Sequence, residues 1–285
     1  MSNRVLPALA VVALLNATGY AAAADLIEPA YEEPQAAPST AGWYLRGDVG
    51  VVLKNKTTGD YSFYNQFEGV EGVDDIFQYD RLETKSAASF GAGVGYRFTD
   101  MFRADVTLDH FKADVRGSTS CISYVTASKG LGFYNDCGFD DRSEVSVWTA
   151  MANAYVDIGH YGIVTPYIGA GLGAARVKYD EVKSTEVCGS DPACTGIDPT
   201  FDHPGESSWR FAAALMAGAT IDLTSRLKLD AGYRYARISD GDYFGYDSAD
   251  RSFGAKGVQA RDDGFNIHTI RAGLRYEFGG GVGLN

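Results

Sequence analysis

From Trp43 onward, apolar and polar positions alternate with a period of two through eight long runs. The clearest follows Arg226: Leu227, Leu229, Ala231, Tyr233 and Tyr235 fall on one face, and Lys228, Asp230, Gly232 and Arg234 on the other. Another sets Phe102, Ala104, Val106 and Leu108 against Arg103, Asp105, Thr107 and Asp109. The last sets Ile270, Ala272, Leu274, Tyr276 and Phe278 against Arg271, Gly273, Arg275 and Glu277. Successive side chains of a strand point to opposite faces, so this pattern places a sheet between two unlike media. It predicts strands over residues 43–53, 84–98, 101–112, 144–158, 166–179, 207–222, 226–239 and 264–278. Each is long enough to cross a bilayer, for which about 9–11 tilted residues suffice. Pro166 touches a strand only at its first residue, where a ladder donor can be spared.

The connections alternate in length. Short ones lie at 99–100, 159–165 and 223–225, and long ones at 54–83, 113–143, 180–206 and 240–263. That asymmetry puts short turns on one rim and long loops on the other. The expected fold is therefore all-β: an eight-stranded antiparallel up-and-down transmembrane β-barrel with four long extracellular loops. An even strand count leaves both termini on the periplasmic rim.

Two geometries fit the alternation. A soluble barrel turns the apolar face inward; a membrane barrel turns it to lipid. Trp43, Phe98, Phe102, Trp148, Trp209, Tyr276 and Phe278 lie on that face near strand ends, where lipid headgroups would sit. The middles of the face are rich in alanine, at Ala150, Ala152, Ala154, Ala213, Ala217 and Ala219. Lipid tolerates such small residues, whereas a sealed core built of them would leave voids. The membrane geometry is the better match. Arg176 breaks the pattern by falling on the lipid side, which calls for snorkelling or a bulge.

With the charged faces inward, the lumen holds Arg46, Asp48, Arg97, Arg103, Asp105, Asp109, Asp157, Arg210, Asp222, Lys228, Asp230, Arg234, Arg271, Arg275 and Glu277. Eight strands enclose little more than their own side chains. Charges confined there must pair, and the near balance of signs predicts a mutually paired network that plugs the lumen. Gly91, Gly93 and Gly95 would leave room for the larger side chains. A narrow charged channel is the alternative.

Other features bear on the address of the protein. Residues 1–24 read as a signal peptide, with Arg4 at the start, an apolar run from Leu6 to Leu15, and small residues Ala21 to Ala24 for cleavage. A membrane anchor is the alternative, but the run is short for one. Residues 25–41, with Pro29, Pro34 and Pro38, suggest a disordered periplasmic leader; residues 42–278 form the barrel and 279–285 a short tail. The formal charge of −12 argues against a nucleic-acid partner. Four cysteines in an exported chain suggest disulfides, and sharing one loop each pairs Cys121 with Cys137 and Cys188 with Cys194. Zinc is the alternative, but neither Cys-x-x-Cys spacing nor a histidine cluster supports a metal.

These features converge on a known group. The signal peptide leads to Ala-Asp-Leu, a proline-bearing leader, the opening strand Gly42-Trp43-Tyr44-Leu45-Arg46-Gly47-Asp48-Val49-Gly50, and the glycine-rich run Phe90-Gly91-Ala92-Gly93-Val94-Gly95-Tyr96-Arg97-Phe98. The chain resembles the Omp25/Omp31-like, opacity-type "porin family" barrels of the alphaproteobacterial outer membrane. The resemblance covers about residues 40–278. It implies an envelope protein that helps hold the outer membrane together, contacts outer-membrane lipids and lipopolysaccharide, and meets host or surface ligands through its loops; some relatives act as weak pores. Gly273, Leu274, Tyr276 and Phe278 in the last strand resemble the signal read by the barrel assembly machinery, although such signals commonly end the chain and here seven residues follow.

No catalytic motif is present: neither a phosphate-binding Gly-x-x-x-x-Gly-Lys nor a Gly-x-Ser-x-Gly occurs. His110, His160, His203 and His268 are scattered. A lipid A-modifying barrel enzyme would need a histidine and serine at the outer rim in a recognisable constellation, and none is legible. The acidic loop 240–263 offers carboxylates for calcium without the full spaced set of an EF-hand. The expectation is a non-enzymatic surface protein without cofactor or metal.

Overall fold

The computed structural model describes residues 41–66, 68–123, 126, 137–188 and 199–278. The expected signal peptide, the leader up to residue 40, the tail and Cys194 lie outside the described residues. In the first half of the chain the strands are β1 (Gly42–Val52), β2 (Asn55–Thr57), β3 (Gly59–Asn65), β4 (Gly72–Gln78), β5 (Arg81–Thr84), β6 (Ala87–Arg97), β7 (Phe102–Ser120) and β8 (Cys137–Asp157). Then follow β9 (Val164–Tyr179), β10 (Val182–Cys188), β11 (Thr200–His203), β12 (Ser207–Asp222), β13 (Leu227–Ile238), β14 (Gly241–Gly245), a short helix α1 (Ser248–Ser252), β15 (Val258–Asp262) and β16 (Phe265–Glu277).

This overturns the expected eight-stranded barrel with four long loops. The described residues form sixteen strands in two sheets, one of twelve strands and one of four. Within the larger sheet, antiparallel pairings run β8-β9-β12-β13-β16-β1-β6-β7 and return from β7 to β8, an eight-membered ring. Beyond the ring, β10 continues the sheet from the far end of β8, and β5 does so from the far end of β7. β11 pairs with β10, and β2 with β5. The smaller sheet, in the order β14-β15-β3-β4, joins the first long connection to the last. Among the described residues, the long connections are thus largely ordered pairing rather than loop.

The reason lies in a change of medium along each strand. On β7 the inward row reads Arg103, Asp105, Thr107, Asp109, then Phe111, Ala113 and Val115; the outward row reads Phe102, Ala104, Val106, Leu108, His110, then Lys112, Asp114 and Arg116. Each face keeps its direction and exchanges its chemistry near residue 110. β8 does the same, from Asp157, Asn153 and Thr149 inward to Val147 and Val145, with Glu144 and Arg142 turning outward. Below the exchange, apolar side chains face out and charges face in, as lipid requires. Above it, apolar side chains face in and charges face out, as water requires. Val52, Val115, Val145, Val147, Val177 and Ile238 belong to one buried cluster that forms a hydrophobic core for this upper tier.

A register row of side chains marks the boundary. Phe90 pairs with His110, His110 with Trp148, Trp148 with Arg176, and Arg176 with Trp209. The His110 and Trp148 rings lie 4.3 Å apart. Arg176 sits in this row with unbroken register and stacks 5.6 Å over the Trp209 ring, so neither a bulge nor an exception is needed. At the opposite edge Trp43 packs on Tyr96, and Tyr96 on Phe98. From Phe102 to His110 the strand rises about 27 Å at ~3.4 Å per residue, which a tilt of ~40° reduces to about 21 Å, so these residues and the rows flanking them cover the ~25 Å apolar band of such proteins.

Two substitutions on the outward face of β7 test this exchange. Val106→Lys, within the apolar band, is expected to cost about 2–4 kcal/mol. Arg116→Ala, ten positions on, should change stability by less than ~0.5 kcal/mol. Urea titrations of the protein folded into lipid vesicles would measure both; equal costs would contradict a boundary between them.

Candidate functional site

All fifteen charged residues assigned to the interior are buried or half-buried, and each makes at least one ion pair. They fall into connected groups. Arg271 pairs with Asp48 at 3.1 Å, Asp48 takes two hydrogen bonds from Arg46, and Arg46 reaches Asp105 across the interior at 2.9 Å. A second chain runs from Arg103 through Asp157, Arg97, Glu277 and Arg275 to Asp230. Thr220 donates its hydroxyl to Asp230 and so ties β12 to β13. Arg234 meets Asp109 at 2.7 Å; their strands, β13 and β7, lie opposite one another in the ring, so this pair spans its width. Lys228 and Asp222 pair at the periplasmic end.

Arg210 lies apart from the others, at the level of the upper core. It donates to both oxygens of Asp262, at 2.6 and 2.8 Å, and to the Asp242 carbonyl at 2.9 Å. Tyr179 donates its hydroxyl to the same carboxylate at 2.8 Å. Asp262 was missed in the sequence because it stands inside a segment read as loop. With it the network holds eight bases and eight acids, so the interior is neutral.

Polar and aromatic side chains complete the packing. Asp105 also accepts from the Tyr44 hydroxyl at 3.1 Å and from Asn153 at 2.8 Å. The Arg103 guanidinium sits 4.2 Å from the Tyr155 ring and 4.8 Å from the Tyr167 ring, whose π faces receive its otherwise unpartnered Nη atoms. Tyr44, Asn153, Tyr155 and Tyr167 share the parity of the charged positions and could have been found by extending it. The glycines opposite matter sterically: a Cβ on Gly95 would collide with the Tyr44 ring, and one on Gly273 with the Asp48 carboxylate. Strand glycines here admit large side chains from their neighbours.

The other expected residues fall as follows. Cys121 and Cys137 are joined by a disulfide, so their sulfurs are not available to zinc. Cys188 faces Cys137 across the β8–β10 ladder, while its expected partner Cys194 lies outside the described residues. Leu274, Tyr276 and Phe278 are exposed on the outward face, and Tyr276 packs on Phe278. Of the acids in 240–263, Asp242 pairs with Arg261, Asp247 caps α1, and Asp250 accepts from Gln66. They do not converge as a calcium cage would: among the described residues the one group of metal-binding side chains within reach of each other is Cys121, Cys137 and Glu186. His268 lies outward beside Tyr235 and shares a hydrogen bond with Tyr233.

The exterior settles which medium surrounds the ring. Trp209 is 66% exposed and Leu215 63%, and Trp43, Phe90, Val106, Leu172 and Ile270 stand open beside them. A continuous apolar exterior of this extent does not persist in water. Residues 9–278 match the family described as outer membrane protein beta-barrel domain. The chain belongs to that family. An uncharacterized protein of Brucella suis is 54% identical over 283 residues, covering 95% of this chain and 97% of its own. The outer membrane protein PagN of Salmonella typhimurium is 29% identical over 205 residues, covering 70% of this chain and 75% of its own. The outer membrane protein OprG of Pseudomonas aeruginosa superposes with a TM-score of 0.43 at 14% identity, covering 86% of this chain and all of that one. This member of the outer membrane protein beta-barrel domain family resides in the outer membrane, with its upper tier outside the cell.

The network makes a quantitative demand. Removing one partner of a buried ion pair strands the other without water, at a cost of about 3–5 kcal/mol. Asp105→Ala should cost that much, because it strips Arg46, Tyr44 and Asn153 together. Equilibrium unfolding in detergent or vesicles would show it. A loss below ~1 kcal/mol would mean that Asp105 is solvated and the interior wet.

Proposed function

We propose that this protein is a structural element of the outer membrane and presents a fixed surface to the outside, with its interior closed to solutes. The observation that carries this reading is the Arg234–Asp109 pair, which crosses the whole ring between opposite strands. On its periplasmic side, Arg46, Arg103 and Arg275 are each 6% exposed or less and locked to carboxylates. A conducting pore would leave such groups hydrated. The resemblance to the Omp25/Omp31-like barrels agrees with a role in envelope integrity.

The same reading assigns the partners. The lipid-facing band meets outer-membrane lipids. Lys112 and Lys178 share one register row, two positions beyond the Trp148–Trp209 row, where lipopolysaccharide phosphates would lie. Leu274, Tyr276 and Phe278 on the outward face of β16 would serve recognition by the barrel assembly machinery, after a signal peptide at 1–24 directs export. Cys188 and Cys194 would form a second disulfide. Surface or host ligands would meet the outer tier.

Planar-bilayer recording of the purified protein tests the closed interior: the expected trace shows no steady openings above the lipid baseline, and stable unitary conductance would establish a channel instead. In cells, deletion is expected to raise uptake of a hydrophobic dye and sensitivity to detergent, while leaving the mass profile of lipid A unchanged.

A further inference from the structure

The outer tier contains a cavity of about 300 Å³ between the four-stranded sheet and the ends of the ring strands. That is the lower end of the range for small-molecule sites. Its wall is aromatic, with Tyr61, Tyr64, Tyr79, Phe139, Phe201 and Phe244. Three carboxylates line it as well: Asp141, Asp247 and Asp250. All three are buried, at 4, 9 and 8% exposure, yet no lysine or arginine lines the cavity among the described residues. This is the reverse of the ring interior, where every carboxylate has its cation.

The hydrogen bonds they do receive come from neutral donors. Tyr79 donates to Asp141 at 2.8 Å, Gln66 to Asp250 at 2.8 Å, and the Asp250 backbone N–H to Asp247 at 2.8 Å. Burial pushes the Asp141 and Asp250 carboxyls above the usual carboxylate range, against the opposing pull of the His203 imidazole, the one titratable base in the wall among the described residues. Two further lining atoms have no hydrogen-bond partner. One is Oε1 of Gln259, whose Nε2 donates to the Ser62 carbonyl and to Asp250. The other is Nδ1 of His203, a side chain only 8% exposed whose ring lies 4.7 Å from Phe244. Buried polar atoms are rarely left without a partner. The cavity therefore offers unmatched polar atoms and a surplus of carboxylates over bases inside an aromatic wall.

We propose that this cavity binds a small organic cation, an ammonium group carrying an apolar body. The ammonium would donate to Asp141, Asp250 and Gln259 Oε1, and the rings would hold the apolar body and add cation–π attraction. A bare metal ion fits poorly, because the carboxylates do not converge within coordinating distance of one another. An anion or a neutral hydrocarbon would leave the carboxylates as they are.

Calorimetric titration of the full mature chain, folded in detergent, tests this with 2-phenylethylamine and its neutral isostere 2-phenylethanol. The amine should bind saturably at one site and at least tenfold more tightly than the alcohol. Asp141→Asn should reduce amine affinity at least fivefold and leave alcohol binding unchanged. Gln259→Leu, at a half-buried position of the wall, serves as a second variant should the first not fold, and should weaken the amine severalfold. Heat-modifiable migration verifies that each sample is folded. Equal binding of amine and alcohol would overturn the charge assignment, and absence of saturable amine binding to folded protein would overturn the site. Neither result bears on whether the ring interior conducts.

Discussion

A charge enclosed by a narrow ring of strands has no water to solvate it, and this constraint orders the whole lower tier. Each buried guanidinium must find a carboxylate, a hydroxyl or an aromatic face before the chain can close. The eight strands answer it jointly: Asp157 serves arginines from β6 and β7, and Glu277 serves arginines from β6 and β16. No strand can be removed without exposing a charge on another. Such pairs contribute little net stability against a hydrophobic alternative. What they do contribute is register, because sliding a strand by one residue would turn its charges toward lipid and its leucines toward arginine.

The lipid band is the complement of that network. Hydrocarbon outside and charge inside make a sheet whose alternation is legible from residues alone, most plainly on β13, β7 and β16. The upper tier obeys the opposite rule. Phe111, Ala113 and Val115 continue the inward row of Arg103 and Asp105, while Lys112 and Asp114 continue the outward row of Val106 and Leu108. A reading that follows one assignment of chemistry to faces ends each strand where the medium changes. That is why β7 and β8 run well past the boundaries assigned to them, and why the long connections looked like loops. In the sequence the soluble and membrane geometries exclude one another, whereas the structure uses both at different heights.

The site was legible to the same depth. The fifteen interior charges could be named because period two carried them, and the aromatic positions Tyr44, Tyr155 and Tyr167 lie on the same parity. Asp262 and the cavity could not be. Asp262 reaches Arg210 from β15, which pairs with β3 some 200 residues earlier in the chain. Asp141, His203 and Asp250 come from three separate long connections. Contacts of that separation leave no local period, only a composition of tyrosine, phenylalanine and aspartate that also suits a solvated loop.

The hydrophobic core of the upper tier changes what a partner outside the cell would meet. Had the long connections been irregular, binding would first have to order them, at about 1–2 kcal/mol for each residue fixed. Here β3, β4, β14 and β15 are already paired, and Tyr243 and Phe244 are sunk in the core beneath. Main-chain bonds from Glu206 to Tyr243 and from Gly245 to Pro204 fix the small sheet to the segment just before β12. The ordering cost is met during folding, and the ring below holds the upper tier in place through shared strands. A ligand of the outer surface therefore recognises a shape set in advance by the ion pairs and the core together.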